Sequence, residues 1–214
     1  MPSVVSKPLE DGDLRERFVR AGLRTLRDLG PAELTVRRVA EAAGSSTMGI
    51  YSQFGSRAGM VEAIYRRGFE LLRDKLARAI DDVPHASADD CEATIVAAAI
   101  AYRRFALANT GLYALMFERP LLDFDPSPEL RDDALSMTFS LLTTQVSQAQ
   151  HYGVLAGDDP LRPSYLLWTT IHGATSIELT HAVRSPLPGW FIDTPEAGEK
   201  VLIDGVRALL TGLR

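Results

Sequence analysis

Apolar residues along this chain recur three and four apart nearly from end to end, and no alternating run is long enough to predict a strand. Leu14, Phe18, Ala21, Gly22 and Leu26 share one face of a first helix, which Gly30-Pro31 ends. Thr35 is placed to cap a second helix whose inward face is Val36, Val39, Ala40 and Ala43. Gly44 then permits a sharp turn. Ser46 caps a short third helix reaching Phe54, and Gly55-Ser56 opens a fourth that runs to about Ile80. The polar, proline-broken stretch DDVPHAS, Asp81 to Ser87, reads as a linker. Further helices are predicted near Ala88–Asn109, Gly111–Arg119, Glu129–Tyr152, Leu161–Arg184 and Glu196–Leu213. The loops PLLDFDPSP, AGDDP and SPLPGWFIDTP, each marked by proline or glycine, separate the later ones. The expected fold class is all-α: a flexible tail over residues 1–12, a small N-terminal bundle with its connecting fourth helix over 13–80, and a larger helical bundle over 81–214.

Composition narrows the setting. With 214 residues, 46% hydrophobic and 24% charged, the chain is an ordinary globular one, long enough to bury real cores. Its first dozen residues hold no apolar stretch of secretory length. The longest small-apolar run, Ile95 to Ala101, falls far short of the about 20 residues a bilayer requires, so no membrane association is expected. The single cysteine, Cys91, excludes an internal disulfide framework and reads as a packed thiol, which makes a cytoplasmic protein the plain expectation.

Charge changes the picture more. The net charge of −5 is unpromising for a nucleic-acid binder, but it is unevenly spread. Between Asp13 and Arg73 eleven arginines face seven carboxylates, a surplus of four that leaves nine excess negative charges on the rest of the chain. A polyanion-binding end joined to a different kind of domain would have this asymmetry. The arginines of the first helix, Arg15, Arg17, Arg20, Arg24 and Arg27, read mostly as a solvated face.

The informative stretch is LTVRRVAEAAGSSTMGIYSQFGSRAGM, Leu34 to Met60. Two short helices across a glycine-containing turn have the layout of a helix-turn-helix. The second needs few apolar anchors, here Ile50 and Phe54, because its outer face must stay free to enter the major groove. That leaves Ser45, Ser46, Thr47, Met48, Gly49, Ser52 and Gln53 near the exposed side. Gln53 can bond bidentately to adenine, the hydroxyls can reach base edges or phosphates, and Met48 can meet a thymine methyl.

Here the sequence resembles the TetR family of repressors. The likeness covers about residues 13–73 and rests on Thr35-Val36, Val39-Ala40, Ala43-Gly44, Tyr51, Phe54, Ser56 and Arg57. It implies phosphate contacts for Tyr51 and Arg57, and a DNA-binding set completed by Thr35, Arg37 and Arg38. Ser45, Gln53 and Met48-Gly49 depart from the family pattern, which bears on the operator sequence. The resemblance further implies a palindromic double-stranded operator and a homodimer, expected through the last two helices. LLWTTIHGATS, Leu166 to Ser176, is similar to a TetR-like C-terminal subgroup marked by a tryptophan followed by His-Gly, here Trp168 and His172-Gly173. A C-terminal domain of that kind encloses a small-molecule effector, expected to be mainly apolar. Candidate pocket residues are Tyr102, Phe105, Tyr113, Met116, Phe117, Met137, Phe139, Trp168 and His172.

Two rivals fare worse. A helical-bundle enzyme would need converging ligands, yet of His85, His151, His172 and His181 only the last two share a helix, on opposite sides of it. Glu178 and His181 form one Glu-x-x-His, where a di-iron bundle needs two and two more glutamates. No phosphate loop, nucleophile elbow or zinc spacing occurs, so no catalysis, metal or cofactor is expected. A helix-turn-helix protein without an effector, such as an architectural binder, would be expected to be basic throughout.

Overall fold

A computed structural model describes residues 11–84, 87–184 and 194–214, and among them every regular element is helical. The helices are α1 (Asp11–Leu29), α2 (Val36–Ala42), α3 (Thr47–Phe54), α4 (Arg57–Asp81), α5 (Ala88–Ala108), α6 (Thr110–Phe117), α7 (Pro128–His151), α8 (Leu161–Arg184) and α9 (Pro195–Gly212), with a 3-10 turn at Pro31–Glu33. The predicted ends lie within two residues of these bounds. Helix α1 is already formed at Asp11, within the span predicted as a tail; residues 1–10 lie outside the described set, as do residues 85–86 and residues 185–193 of the last loop. The His181 side chain, and with it the Glu178–His181 pair, lies outside it too. No helix among the described residues is long and apolar enough to cross a membrane.

The chain forms two compact units, but they do not follow a linear boundary near residue 80. One takes the chain up to Gly68 and adds Gly111–Ser127; the other is Phe69–Thr110 with Pro128–Arg214. Helix α6 thus joins the helix-turn-helix rather than the larger bundle. The cause is close packing that only glycine allows. A Cβ on Gly111 would collide with the carbonyl oxygen of Leu26 on α1, and one on Gly68 would stand 2.8 Å from the Met116 sulfur.

In the first unit α1 packs across both α2 and α3. Phe18, Leu26, Leu34, Ile50, Met60 and Ile64 are completely enclosed, and the Phe18 ring meets Phe54 edge-on at 6.1 Å. Each short helix is fixed by its cap. Thr35 Oγ1 accepts from Arg38 N at 3.3 Å, and Ser46 Oγ accepts from Gly49 N at 3.2 Å. Helix α2 ends as Ser45 N donates back to Ala40 O at 3.0 Å, across a left-handed Gly44 with φ 62°.

In the second unit α5 is central and packs on α7, α8 and α9. Its first turn is held by a reciprocal capping box between Ser87 and Asp90. Leu202, Val206 and Leu210 of α9 fill the core, while Val201 and Leu209 stay half-exposed. Cys91 is buried, and desolvation with the nearby Asp90 charge pushes its thiol up, which keeps it protonated and inert. Arg103, only 3% exposed as a side chain, donates to both Glu178 oxygens at 2.6 and 2.7 Å, and also to Pro195 O at 2.6 Å and Glu199 at 3.3 Å. The charge at position 103 is therefore spent inside the fold.

Candidate functional site

Helix α3 presents a free face built from positions i, i+1, i+4 and i+5: Thr47, Met48, Tyr51 and Ser52 are all exposed, Met48 by 74% and Tyr51 by 50%. A methionine and a tyrosine left in solvent on a helix whose other side is anchored by Ile50 are what a groove-reading helix requires. Gln53 is half-buried beside them, and Thr35 and Ser46 are exposed while acting as caps. Two predicted positions fall elsewhere. Gly49 turns toward α1, where a Cβ would lie 3.0 Å from the Phe18 ring and 3.2 Å from Ser45 Oγ. Ser45 is itself half-buried in the turn. Gly49 thus lets α3 approach α1 closely, and neither residue is part of the exposed face.

The arginines of α1 also differ from the solvated face expected. Arg17 donates to Ala43 O and Arg24 to Ala42 O, both at 2.7 Å, while Arg15 donates to Gln53 O at 2.6 Å and lies 4.4 Å from the centre of the Phe54 ring. These carbonyls end α2 and α3, where a helix leaves acceptors unsatisfied and carries negative partial charge. Three guanidiniums therefore clamp the two helices of the reading head from behind. Only Arg20 and Arg27 keep to local surface pairs, with Glu16 and Asp28. The i, i+2 and i+9 spacing of Arg15, Arg17 and Arg24 carries no signal of this, because the acceptors are backbone atoms of other helices.

The three arginines predicted at the DNA surface are each paired with a carboxylate. Arg37 bonds Glu41 at 3.0 Å, Arg38 bonds Glu33 at 2.7 Å, and Arg57, at the start of α4, pairs with Asp123 while donating to Leu34 O at 3.3 Å. The Arg57 guanidinium holds the Asp123 carboxyl below its ordinary range.

The second unit contains an apolar cavity of about 40 Å³. Its walls are helical stripes: Leu76 and Ile80 of α4, Ala98 and Tyr102 of α5, Thr138, Phe139, Leu141 and Leu142 of α7, Trp168 and Ile171 of α8. Three predicted residues, Tyr102, Phe139 and Trp168, line it. His172 stands at its edge, with Nδ1 2.8 Å from the Tyr102 hydroxyl and its ring 5.6 Å from that of Trp168. Burial pushes the imidazole below its ordinary 6.5, so it is neutral. Phe105 and Met137 are on the right helices but outside the lining. Tyr113, Met116 and Phe117 belong to the first unit, where Tyr113 is 1% exposed and stacks at a tilt on Phe117 at 4.9 Å. An apolar helix with no polar side gives no indication in sequence of which core it will enter. The missed wall, Leu76 and Ile80, lies on a helix that sequence assigned wholly to the first domain; its i, i+4 spacing was the available signal.

Comparison with known proteins gives two family matches. Residues 18–64 match the tetR family of bacterial regulatory proteins, and residues 95–197 match the tetracyclin repressor-like C-terminal domain, a span that contains Trp168 and His172-Gly173. An HTH-type transcriptional regulator of Mycobacterium tuberculosis is 24% identical over 193 residues, covering 78% of this chain and 80% of that protein. Among solved structures, a protein of unknown function from Rhodococcus sp. RHA1 superposes with a TM-score of 0.77 and 25% identity, over 97% of this chain and 99% of that one. The TetR family regulator PfmR of Thermus thermophilus shares the fold with a TM-score of 0.58 and 17% identity, over 92% and 99% of the two chains.

Proposed function

Given that the chain belongs to the TetR family of bacterial transcriptional regulators, we propose that it is a repressor that binds a palindromic operator as a homodimer and responds to a small, mainly apolar, uncharged ligand. The observation that carries this reading is the α3 face, with Thr47, Met48, Tyr51 and Ser52 in solvent and Ile50 and Phe54 turned to α1. In the complex α3 of each copy lies in the major groove, Tyr51 and Arg57 hold phosphates, and Arg37, Arg38 and the Thr35 end of α2 flank the backbone. The dimer forms through α8 and α9, in a two-fold interface that covers the exposed Tyr165 and Ile177. The ligand enters the cavity between Tyr102, Phe139 and Trp168. Because Arg103 is committed to Glu178 and His172 is neutral, a charged effector would find no counter-charge there. Such a regulator works in the cytoplasm, where its operator is, and needs no catalytic step or cofactor.

Selection of duplexes from a random pool, followed by footprinting, tests the reading. Protection of two inverted half-sites about one helical turn apart is expected. Retention of every duplex alike would identify an architectural binder instead, and failure to retain any would end the proposal.

A further inference from the structure

Of the three ion pairs on the predicted DNA surface, two are local: Arg37 and Glu41 are four residues apart, Arg38 and Glu33 five. The third is not. Arg57 and Asp123 are separated by 66 residues, and the carboxylate is delivered by the segment between α6 and α7. That segment is pinned on both sides of Asp123. Leu121 is 8% exposed and Phe124 6%, the latter edge-on to Tyr65 of α4 at 5.9 Å, whereas Leu122 between them is fully in solvent. Asp123 thus sits at a fixed place, with 65% of its side chain exposed, against one nitrogen of Arg57, whose side chain is 29% exposed and whose other terminal nitrogen donates to Leu34 O.

We infer that Asp123 is a built-in competitor of DNA phosphate for Arg57 and sets the affinity of the chain for duplexes of any sequence. Its carboxylate occupies the donor nitrogen a phosphate would take. For Arg57 to engage DNA the pair must open, and the freed carboxylate then gathers a cation from solution. That uptake offsets the counterion released from the DNA, so the salt dependence of binding is weakened as well as the affinity. A long-range pair between exposed groups is of modest strength, which suits a residue that tunes binding rather than abolishing it. The inference rests on the proposed phosphate contact of Arg57.

The test compares wild type, Asp123→Asn, Arg57→Ala and the double variant, full-length, by fluorescence anisotropy. A duplex recovered by selection and a scrambled one are titrated over a range of salt, with thermal melting to show that each variant is folded. Asp123→Asn is expected to bind both duplexes tighter by about 2- to 5-fold per subunit, the range such exposed pairs reach. The slope of log affinity against log salt should steepen by about one per subunit. The double variant should bind no tighter than Arg57→Ala alone. An Asp123→Asn protein with unchanged or weaker binding, while Arg57→Ala still weakens it, overturns the competition and leaves the phosphate contact standing. An Arg57→Ala protein that binds like wild type overturns both.

Discussion

The Tyr102 hydroxyl and the Nδ1 of His172 lie 2.8 Å apart, joining α5 to α8 at the edge of the apolar cavity. With the imidazole neutral, its tautomer decides which of the two atoms donates. The pair is a polar contact beside a mainly apolar wall, and its state depends on a proton.

Burial lowers the His172 pKa, so the unfolded chain takes up that proton before the folded one does. The stabilisation from neutral His172 is complete above its ordinary value of 6.5 and is lost as pH falls through that value toward the lower folded one. The melting temperature of the wild type is expected to drop more steeply between about pH 7 and about pH 5 than that of His172→Gln. Parallel curves would contradict the assignment.

Arg17 is half-buried and holds the last carbonyl region of α2, so Arg17→Ala should lower stability by about 1 kcal/mol in urea titrations. Arg24→Ala, at a more exposed position, should lower it less. Arg20→Ala, which loses only a surface pair with Glu16, serves as the control and should be nearly neutral.

On the DNA side the proposed contacts divide by role. Tyr51→Phe should weaken binding to all duplexes equally, because a phosphate contact reads no sequence. Thr47→Ala, Met48→Ala and Gln53→Ala should instead relax preference at particular base pairs, by roughly 1–3 kcal/mol where a bidentate contact is lost. Repeating the duplex selection with each variant distinguishes the two patterns.

Arg103→Ala should be the most damaging single change in the second unit, by about 3–5 kcal/mol, since it strands the Glu178 carboxylate, whose side chain is 8% exposed. The joint replacement Arg103→Met with Glu178→Leu should recover most of that loss in denaturant melts, because no buried charge is then left alone.

Helix ends were legible from sequence wherever a cap is local. Thr35, Ser46 and Gly30-Pro31 act on atoms within four residues of themselves, and each is found where it was expected. Partnerships between distant segments were not. Gly111 brings α6 to α1, Arg15 finds a carbonyl 38 residues away, and Leu76 and Ile80 close a cavity whose other walls come from α5, α7 and α8. In each case the residue type permits the contact and the packing of other helices selects it. Ser46, Thr47, Met48 and Ser52 are exposed as expected, because exposure on a short amphipathic helix follows from its own periodicity, whereas Ser45 and Gln53 are half-buried. Gly49 was misplaced because a residue without a side chain gives that periodicity nothing to sort.

The cavity's volume of about 40 Å³ is well below the roughly 300–1,000 Å³ of ordinary ligand clefts. An effector of the proposed kind would therefore require a swollen conformer, with α7 and α8 drawn apart around Phe139 and Trp168. A swollen state populated at about one per cent makes the measured dissociation constant about a hundredfold weaker than the intrinsic one. Hollowing the wall in advance, as by Leu142→Ala, would lessen that handicap while it loosens the fold. Under the proposed function, sensitivity to the ligand and stability of the fold would be set against each other by the same few methyl groups.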